Sequence, residues 1–383
     1  MTAAVGATFG VEEEYHVVDA ETFALRDSPE LNARAGAGAL GARIHAEIAT
    51  TQLEIATGIC RTTDELRAEL TAARREATAA AAAVGATVLI ASTHPSASWT
   101  EQRLTLQPRY ITLLERWGVL ALQQVICGCH VHVSVPDLDT AVQVMDHARP
   151  YLPLLLALTG SSPFHECVDT GYDSFRTQWF ARWPIAGPSE PLGDADTYRG
   201  VIDDLTRAGV IDDPSHLYWD IRPSLRHPTL EFRVGDVCTS LDDAVLHAAL
   251  VRALAATLAE RAASGVRPVP IRAELLRAAR WRAARYGLSD RLLDPATGEL
   301  VEPRLAISRL LVELEPQLAD RGEVDEARAL VQQVFDRGTS AARQREVLQR
   351  TGDPAAVAAY VVRAGLRGCD ETTATTPTGT AGG

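Results

Sequence analysis

Apolar and polar positions alternate along TFGVEEEYHVV (residues 8–18), which predicts a β-strand with Glu12 and Glu14 on one face and Val11, Glu13 and Tyr15 on the other. The run IHAEIATTQLEIATG (44–58) predicts strand on both sides of Thr50-Thr51, with Glu47 in the first half and Gln52 and Glu54 sharing a face in the second. Glu47 and Glu54 are an odd number of residues apart, so they reach one site only if a bulge or turn intervenes. The Ala-rich stretch 62–84 predicts a helix, with a Thr62-x-x-Glu65 capping box at its start and Gly85 at its end. VLIAS (88–92) and VICGCHVHVSV (125–135) read as buried strands, and PTLEFRVGD (228–236) as a last strand with Glu231 and Arg233 facing away from Leu230, Phe232 and Val234. Residues 137–159 read as helix broken near Pro150 and Pro153, and the Gly-, Ser- and aromatic-rich residues 160–193 as loops. Six helices follow, at about 242–264, 271–286, 304–319, 324–336, 340–350 and 354–366. Strands concentrated in the first two thirds, without βαβ alternation, predict an α+β chain built on a mainly antiparallel sheet. The expected organisation is a single catalytic domain over residues 1–368, sheet-rich to 240 and helical from 241, followed by a disordered tail over 369–383.

Composition removes whole classes of function. Apolar residues at 46% and charged residues at 23% of 383 fit an ordinary globular protein. No apolar run reaches the roughly 20 residues of a membrane helix, and the N-terminal residues lack the basic and apolar regions of a secretory signal, so the expected location is the cytoplasm. Six cysteines, of which only Cys127 and Cys129 are closely spaced, suit reduced thiols better than a disulfide framework. A net charge of -13 argues against a nucleic-acid or anionic-lipid surface. All 37 basic side chains are Arg. A phosphate-loop lysine, a pyridoxal Schiff base and a carbamylated-lysine metal bridge are thereby excluded, and phosphate must be handled by Arg, backbone amides or metal.

Gly36-x-Gly38-x-x-Gly41 matches a dinucleotide fingerprint literally but follows SPELNARA, which is no hydrophobic strand, and reads as a flexible loop. In CGCHVHV, alternation puts Cys127 and Cys129 on one face and Gly128, His130 and His132 on the other, so thiols and imidazoles do not share one zinc site. Glu12, Glu14, Glu47, Glu54 and Glu231 each sit in strand-like sequence with apolar neighbours opposite. Five carboxylates on one sheet surface repel unless hard divalent cations join them, and a carboxylate-rich set favours Mg²⁺ or Mn²⁺ over Zn²⁺, which suggests a nucleotide-phosphate site.

The runs GVEEEY, QLEIATGIC, STHP, CGCHVHV, DTGYDSFRTQWFARWP and YWDIRPSLRHPTLEFRVGD, in this order, resemble the bacterial glutamate-cysteine ligase type 2 family, also described as ATP-dependent carboxylate-amine ligases, over residues 8–365 or so. The resemblance implies a glutamine synthetase-like fold: a curved antiparallel sheet with helices on its outer face and Mg²⁺, ATP and the acid substrate on its concave face. The implied reaction joins glutamate and L-cysteine through an acyl phosphate, releasing ADP and phosphate. Carried over, the metal ligands are Glu12, Glu14, Glu54, His130 and Glu231, with Glu47 a further candidate. His130, His132 and Arg233 would contact the nucleotide, and Arg233 and Arg222 would steady the transferred phosphoryl group. The sequence departs from the family pattern at Cys129, at Ser134 and in the glycine-rich segment 35–41. Expected partners are a small-molecule carboxylic acid and an amine, with neither nucleic acid nor membrane and with a homodimer left open. Three alternatives stand beside this reading: a metal-dependent hydrolase, suggested by His-x-His on a strand; a non-catalytic nucleotide-binding protein; and a ligase for another acid and amine in specialised metabolism. No general base for the amine is evident in the sequence.

Overall fold

The structure is a computed structural model that describes residues 4–369. Strand β1 (Phe9–Asp19) is its central element: buried and half-buried residues alternate over the first half, and its last residues are buried on both faces. Its partners account for that change. On one edge it pairs with β3 (Gln52–Ala56), which continues to β2 (Ile44–Ala46). On the other edge its first half pairs with β5 (Cys129–Ser134), while its second half pairs with β4 (Ala86–Leu89). Strands β6 (Phe164–His165) and β7 (Val168–Asp169) form a separate small hairpin. Beyond β5 the main sheet continues through β9 (Thr229–Phe232) to β8 (Ile221–Pro223), giving the order β2-β3-β1-β5-β9-β8 with every pairing antiparallel.

One face of this sheet is sealed by the helices Thr63–Ala82 and Leu241–Ala263, against which Val11, Tyr15, Val131, Leu230 and Phe232 are buried. The first helix starts where the capping box predicts, the Thr62 side chain accepting from the Glu65 amide at 3.1 Å. The six C-terminal helices also lie where the periodicity places them, from Leu241–Ala263 to Pro354–Gly365. An antiparallel sheet leaves no room for the eight βα units of a barrel of the amidohydrolase kind, so the His-x-His pair does not belong to that fold.

Several elements correct the sequence reading. Pro29–Gly36 is a helix with Pro at its first turn, so the loop expected over 35–41 begins only after Gly36, and no strand precedes the glycines. Within 160–193 the β6–β7 hairpin and the helix Phe175–Phe180 replace a continuous loop. Helices Pro108–Trp117 and Ala195–Arg207 and strand β8 fall in stretches with no predicted element. The strand expected over 125–135 is confined to Cys129–Ser134. Of the tail expected over 369–383, Cys369 alone is among the described residues; it is buried, and its carbonyl accepts from Arg75 Nε at 2.8 Å. No helix among the described residues is long and apolar enough to cross a membrane.

Candidate active site

The face of the sheet turned away from the helices lines a cavity of about 540 Å³, and all nine side chains singled out from the sequence line it. Strand register explains why they meet. Glu14 on β1 lies opposite Glu54 on β3, Glu12 opposite His130 on β5, His132 opposite Glu231 on β9, and Glu231 opposite Arg222 on β8. Glu47 joins them because β2 ends at Ala46 and the chain turns over residues 47–51, which supplies the break that the odd spacing required.

The potential ligand atoms fall into two groups, Glu12 with His132 and Glu231, and Glu14 with Glu47 and Glu54, the atoms of each lying within 4.8 Å of one another. His132 therefore stands in a ligand group where the resemblance implies His130. His130 lies between the groups, its Nδ1 3.3 Å from Glu12 and 3.7 Å from Glu231 and its Nε2 3.9 Å from Glu14. One cluster offers two carboxylates and an imidazole and the other three carboxylates, donor sets suited to hard divalent cations.

The two groups are electrostatically unlike. Burial acts to raise Glu12, but hydrogen bonds and charge from His130 and His132 outweigh it and hold the carboxyl well below its usual range. Glu231 is held down in the same way by Arg233 and Arg222 against the effect of burial. In the other group burial dominates: it pushes Glu14 up to about 8, with Glu47 adding repulsion, and raises Glu54 well above the usual value, with Glu12, Glu47 and Glu14 adding theirs. Burial, reinforced by Arg233, lowers His130 to about 4. Three buried carboxylates without a cation of their own are costly to ionise, and a divalent ion is the economical remedy.

The arginines are differently committed. Arg222 donates from Nε to Glu231 at 2.9 Å and from Nη1 to the Ser215 and Leu217 carbonyls at 2.6 and 2.8 Å, so its fork holds Glu231 in place. Arg233 donates to Glu231 from Nη1, which also lies 3.4 Å from His130 Nδ1, while its Nε is buried without a partner. Arg176, not singled out in the sequence, also lines the cavity and donates to the Arg233 carbonyl at 3.2 Å. It sits in the first turn of the helix Phe175–Phe180, whose start is tied to buried Asp236, which accepts from the Ser161 amide and from the Ser162 and Ser174 hydroxyls at 3.0, 2.6 and 2.7 Å. Gly128 makes space for it: a Cβ there would sit 2.5 Å from Arg176 Nη2, and the Gly128 amide donates to Glu14 at 2.6 Å. Arg109, Tyr110 and Tyr218 complete the walls and were likewise not singled out. Arg176 was within reach of a sequence reading, since it lies inside the quoted run DTGYDSFRTQWFARWP; Arg109 carried no such signal. The departures at Cys129 and Ser134 do not touch the cavity: Cys129 is buried in the core, and the Ser134 hydroxyl accepts from the Thr8 amide at 3.1 Å.

Residues 8–359 match the glutamate-cysteine ligase family 2. Among curated relatives, a protein from Frankia alni named "Putative glutamate--cysteine ligase 2-2" is 40% identical over 95% of this chain and 98% of its own length. A "Putative glutamate--cysteine ligase 2" from Rhodopirellula baltica is 36% identical over 93% of this chain and 96% of its own. Among solved structures, the glutamate–cysteine ligase of Francisella tularensis in complex with AMP superposes with a TM-score of 0.69 at 15% identity, covering 94% of this chain and 89% of that one. The bifunctional glutathione synthetase of Pasteurella multocida gives the same TM-score and identity over 94% of this chain, which spans 52% of that longer protein. These structural likenesses establish the shared fold.

Proposed function

The chain belongs to glutamate-cysteine ligase family 2, and on that premise we propose that it is an ATP-dependent carboxylate–amine ligase that forms an amide through an acyl phosphate, nominally from glutamate and L-cysteine. The observation that carries the reading is the pairing, in one cavity, of two ligand groups for hard cations with a buried arginine whose Nε has no partner. Mg²⁺ fits the donor set: Glu12, His132 and Glu231 would hold one ion and Glu14, Glu47 and Glu54 another, and bound there it would neutralise phosphate charge. Mn²⁺ suits the same oxygens.

The chain's own part is positioning and electrostatics, which is what phosphoryl transfer demands of a protein. In the proposed first step a substrate carboxylate oxygen attacks the terminal phosphorus of ATP and ADP leaves. Arg233, held by Glu231 and His130, would meet the charge on the transferred group, while Arg222 fixes Glu231 and Arg176 supports the Arg233 backbone. In the second step the amine nitrogen attacks the acyl carbon, the carbon–nitrogen bond forms as the acyl carbon–oxygen bond breaks, phosphate departs with the former carboxylate oxygen, and the nitrogen gives up one proton to solvent. The lysine-free composition is compatible with this route, since neither step needs a covalent enzyme intermediate.

A matrix of carboxylic acids against amines, scored by ADP release and by product mass, tests the reading. Dependence of ADP release on both an acid and an amine, with an amide of the summed mass less water, is expected. ATP turnover indifferent to either partner would sink it.

A further inference from the structure

Of the arginines that line the cavity, Arg222, Arg233 and Arg176 are tied to Glu231 or to backbone carbonyls. The Arg109 guanidinium makes no hydrogen bond or ion pair among the described residues. It is nevertheless placed: it lies over the ring of Tyr110 at 4.6 Å from the centroid. That ring is a fixed platform, 1% exposed, with its hydroxyl donating to the Ala46 carbonyl at 3.2 Å and 3.5 Å from Glu47. Stacking occupies the flat face of a guanidinium and leaves its edge N–H donors free, the geometry that receives a planar carboxylate in a fork. Arg109 shares this end of the cavity with Glu47 and Glu54, whose charges act on it without either coming within ion-pair distance. Arg226, also without an acceptor, sits in the exposed β8–β9 loop with no aromatic support.

We propose that Arg109, stacked on Tyr110, is a specificity-determining residue that receives the non-reacting carboxylate of one of the two small-molecule substrates. The inference rests on the ligase reading for what enters the cavity. Either the acid or the amine could bring this carboxylate, and paired probes separate the two: glutamate against 4-aminobutyrate, and cysteine against cysteamine, each pair differing by the α-carboxylate.

The test is calorimetric binding of all four compounds to the wild type, Arg109→Leu and Arg109→Lys, with Mg²⁺ and a non-hydrolysable ATP analogue present. In one pair the wild type should bind the carboxylate-bearing member at least about tenfold more tightly, as a charged hydrogen-bond pair predicts. Arg109→Leu should erase that gap while leaving the affinities for its decarboxylated partner and for the nucleotide in place. Arg109→Lys, which keeps the charge without the fork, should retain part of it. A gap that survives Arg109→Leu, no gap in either pair, or a nucleotide affinity that falls as far as the substrate affinity would overturn the assignment. ADP release measured alongside keeps the two readings apart: an Arg109-dependent gap without ADP formation would sink the ligase reading and leave the carboxylate site standing.

Discussion

Glu13 differs from Glu12 and Glu14 by one step along β1, and that step decides its chemistry. Alternation turns it to the helix side, where it forms a fully buried ion pair with Arg74 at 2.7 Å and accepts from the Tyr15 hydroxyl at 2.5 Å. Removing one partner of a buried pair leaves an uncompensated charge, at a cost of about 3–5 kcal/mol. Glu13→Gln should therefore lower the melting temperature sharply while the folded fraction turns over normally, as parallel calorimetry and activity assays would show. Its neighbours should behave oppositely in kind. Glu14→Gln and Glu54→Gln remove carboxylates that burial makes costly to ionise, so metal-free stability at pH 8 should rise while Mg²⁺ affinity falls at least about tenfold. Glu12→Gln and Glu231→Gln should lose both, because His130 and His132 stabilise the first charge and the two arginines the second. Titrating Mg²⁺ against thermal melting separates these patterns; a metal affinity unchanged across all four would contradict the ligand assignment. Arg233→Lys keeps a charge beside Glu231 but loses the planar fork, so turnover should drop by about 100-fold or more with little change in melting temperature.

Strand register does most of the work of assembling the site, and this is why so much of it was legible. A period of two with apolar residues on one face marks β1, β3, β5 and β9, and the same period fixes which acids and imidazoles look into the cavity. The C-terminal helices were equally plain, being rich in Ala, Leu and Arg and followed within a few residues by Gly or Pro. What escaped depended on contacts distant in sequence. Arg109 and Arg176 reach the cavity from helices whose own sequence carries no sign of the sheet they face. Strand β8 has three residues and ends in Pro223, too short for any period. Helix Ala195–Arg207 did announce itself, through Asp194 accepting from the Thr197 amide, a cap that a closer reading of its start would have found. At the junction of elements, Gly128→Ala would drive a Cβ into Arg176, and overpacking of this kind costs about 1–3 kcal/mol. The expected result is a modest fall in melting temperature with a much larger loss of turnover; equal and small losses would show that Arg176 can move aside freely.

Across the whole molecule, one sheet separates a helix-packed core from an acidic cavity, and the cavity's charges make stability depend on pH and metal together. A carboxyl raised to about 8 in the folded protein binds its proton more tightly there than in the unfolded chain, where its value is about 4.3. Glu14 therefore contributes stability below the unfolded value, and that contribution is lost as pH rises toward 8. The depressed Glu12 and Glu231 act at the other end, losing their contribution only as pH falls below the ordinary carboxylate range. Metal-free protein should accordingly melt at lower temperature at pH 8 than at pH 5.5, and Mg²⁺ should restore more at pH 8; scanning fluorimetry in chelator and in Mg²⁺ measures both, and a rise with pH in chelator would contradict the burial of Glu14 and Glu54. The central claim concerns the bond made at the substrate carboxylate, and isotope transfer reads it directly. With Mg-ATP, an amine and an acid labelled with ¹⁸O in its carboxylates, the account predicts ADP and inorganic phosphate carrying one ¹⁸O atom, whereas AMP with pyrophosphate, or phosphate free of label, would contradict it.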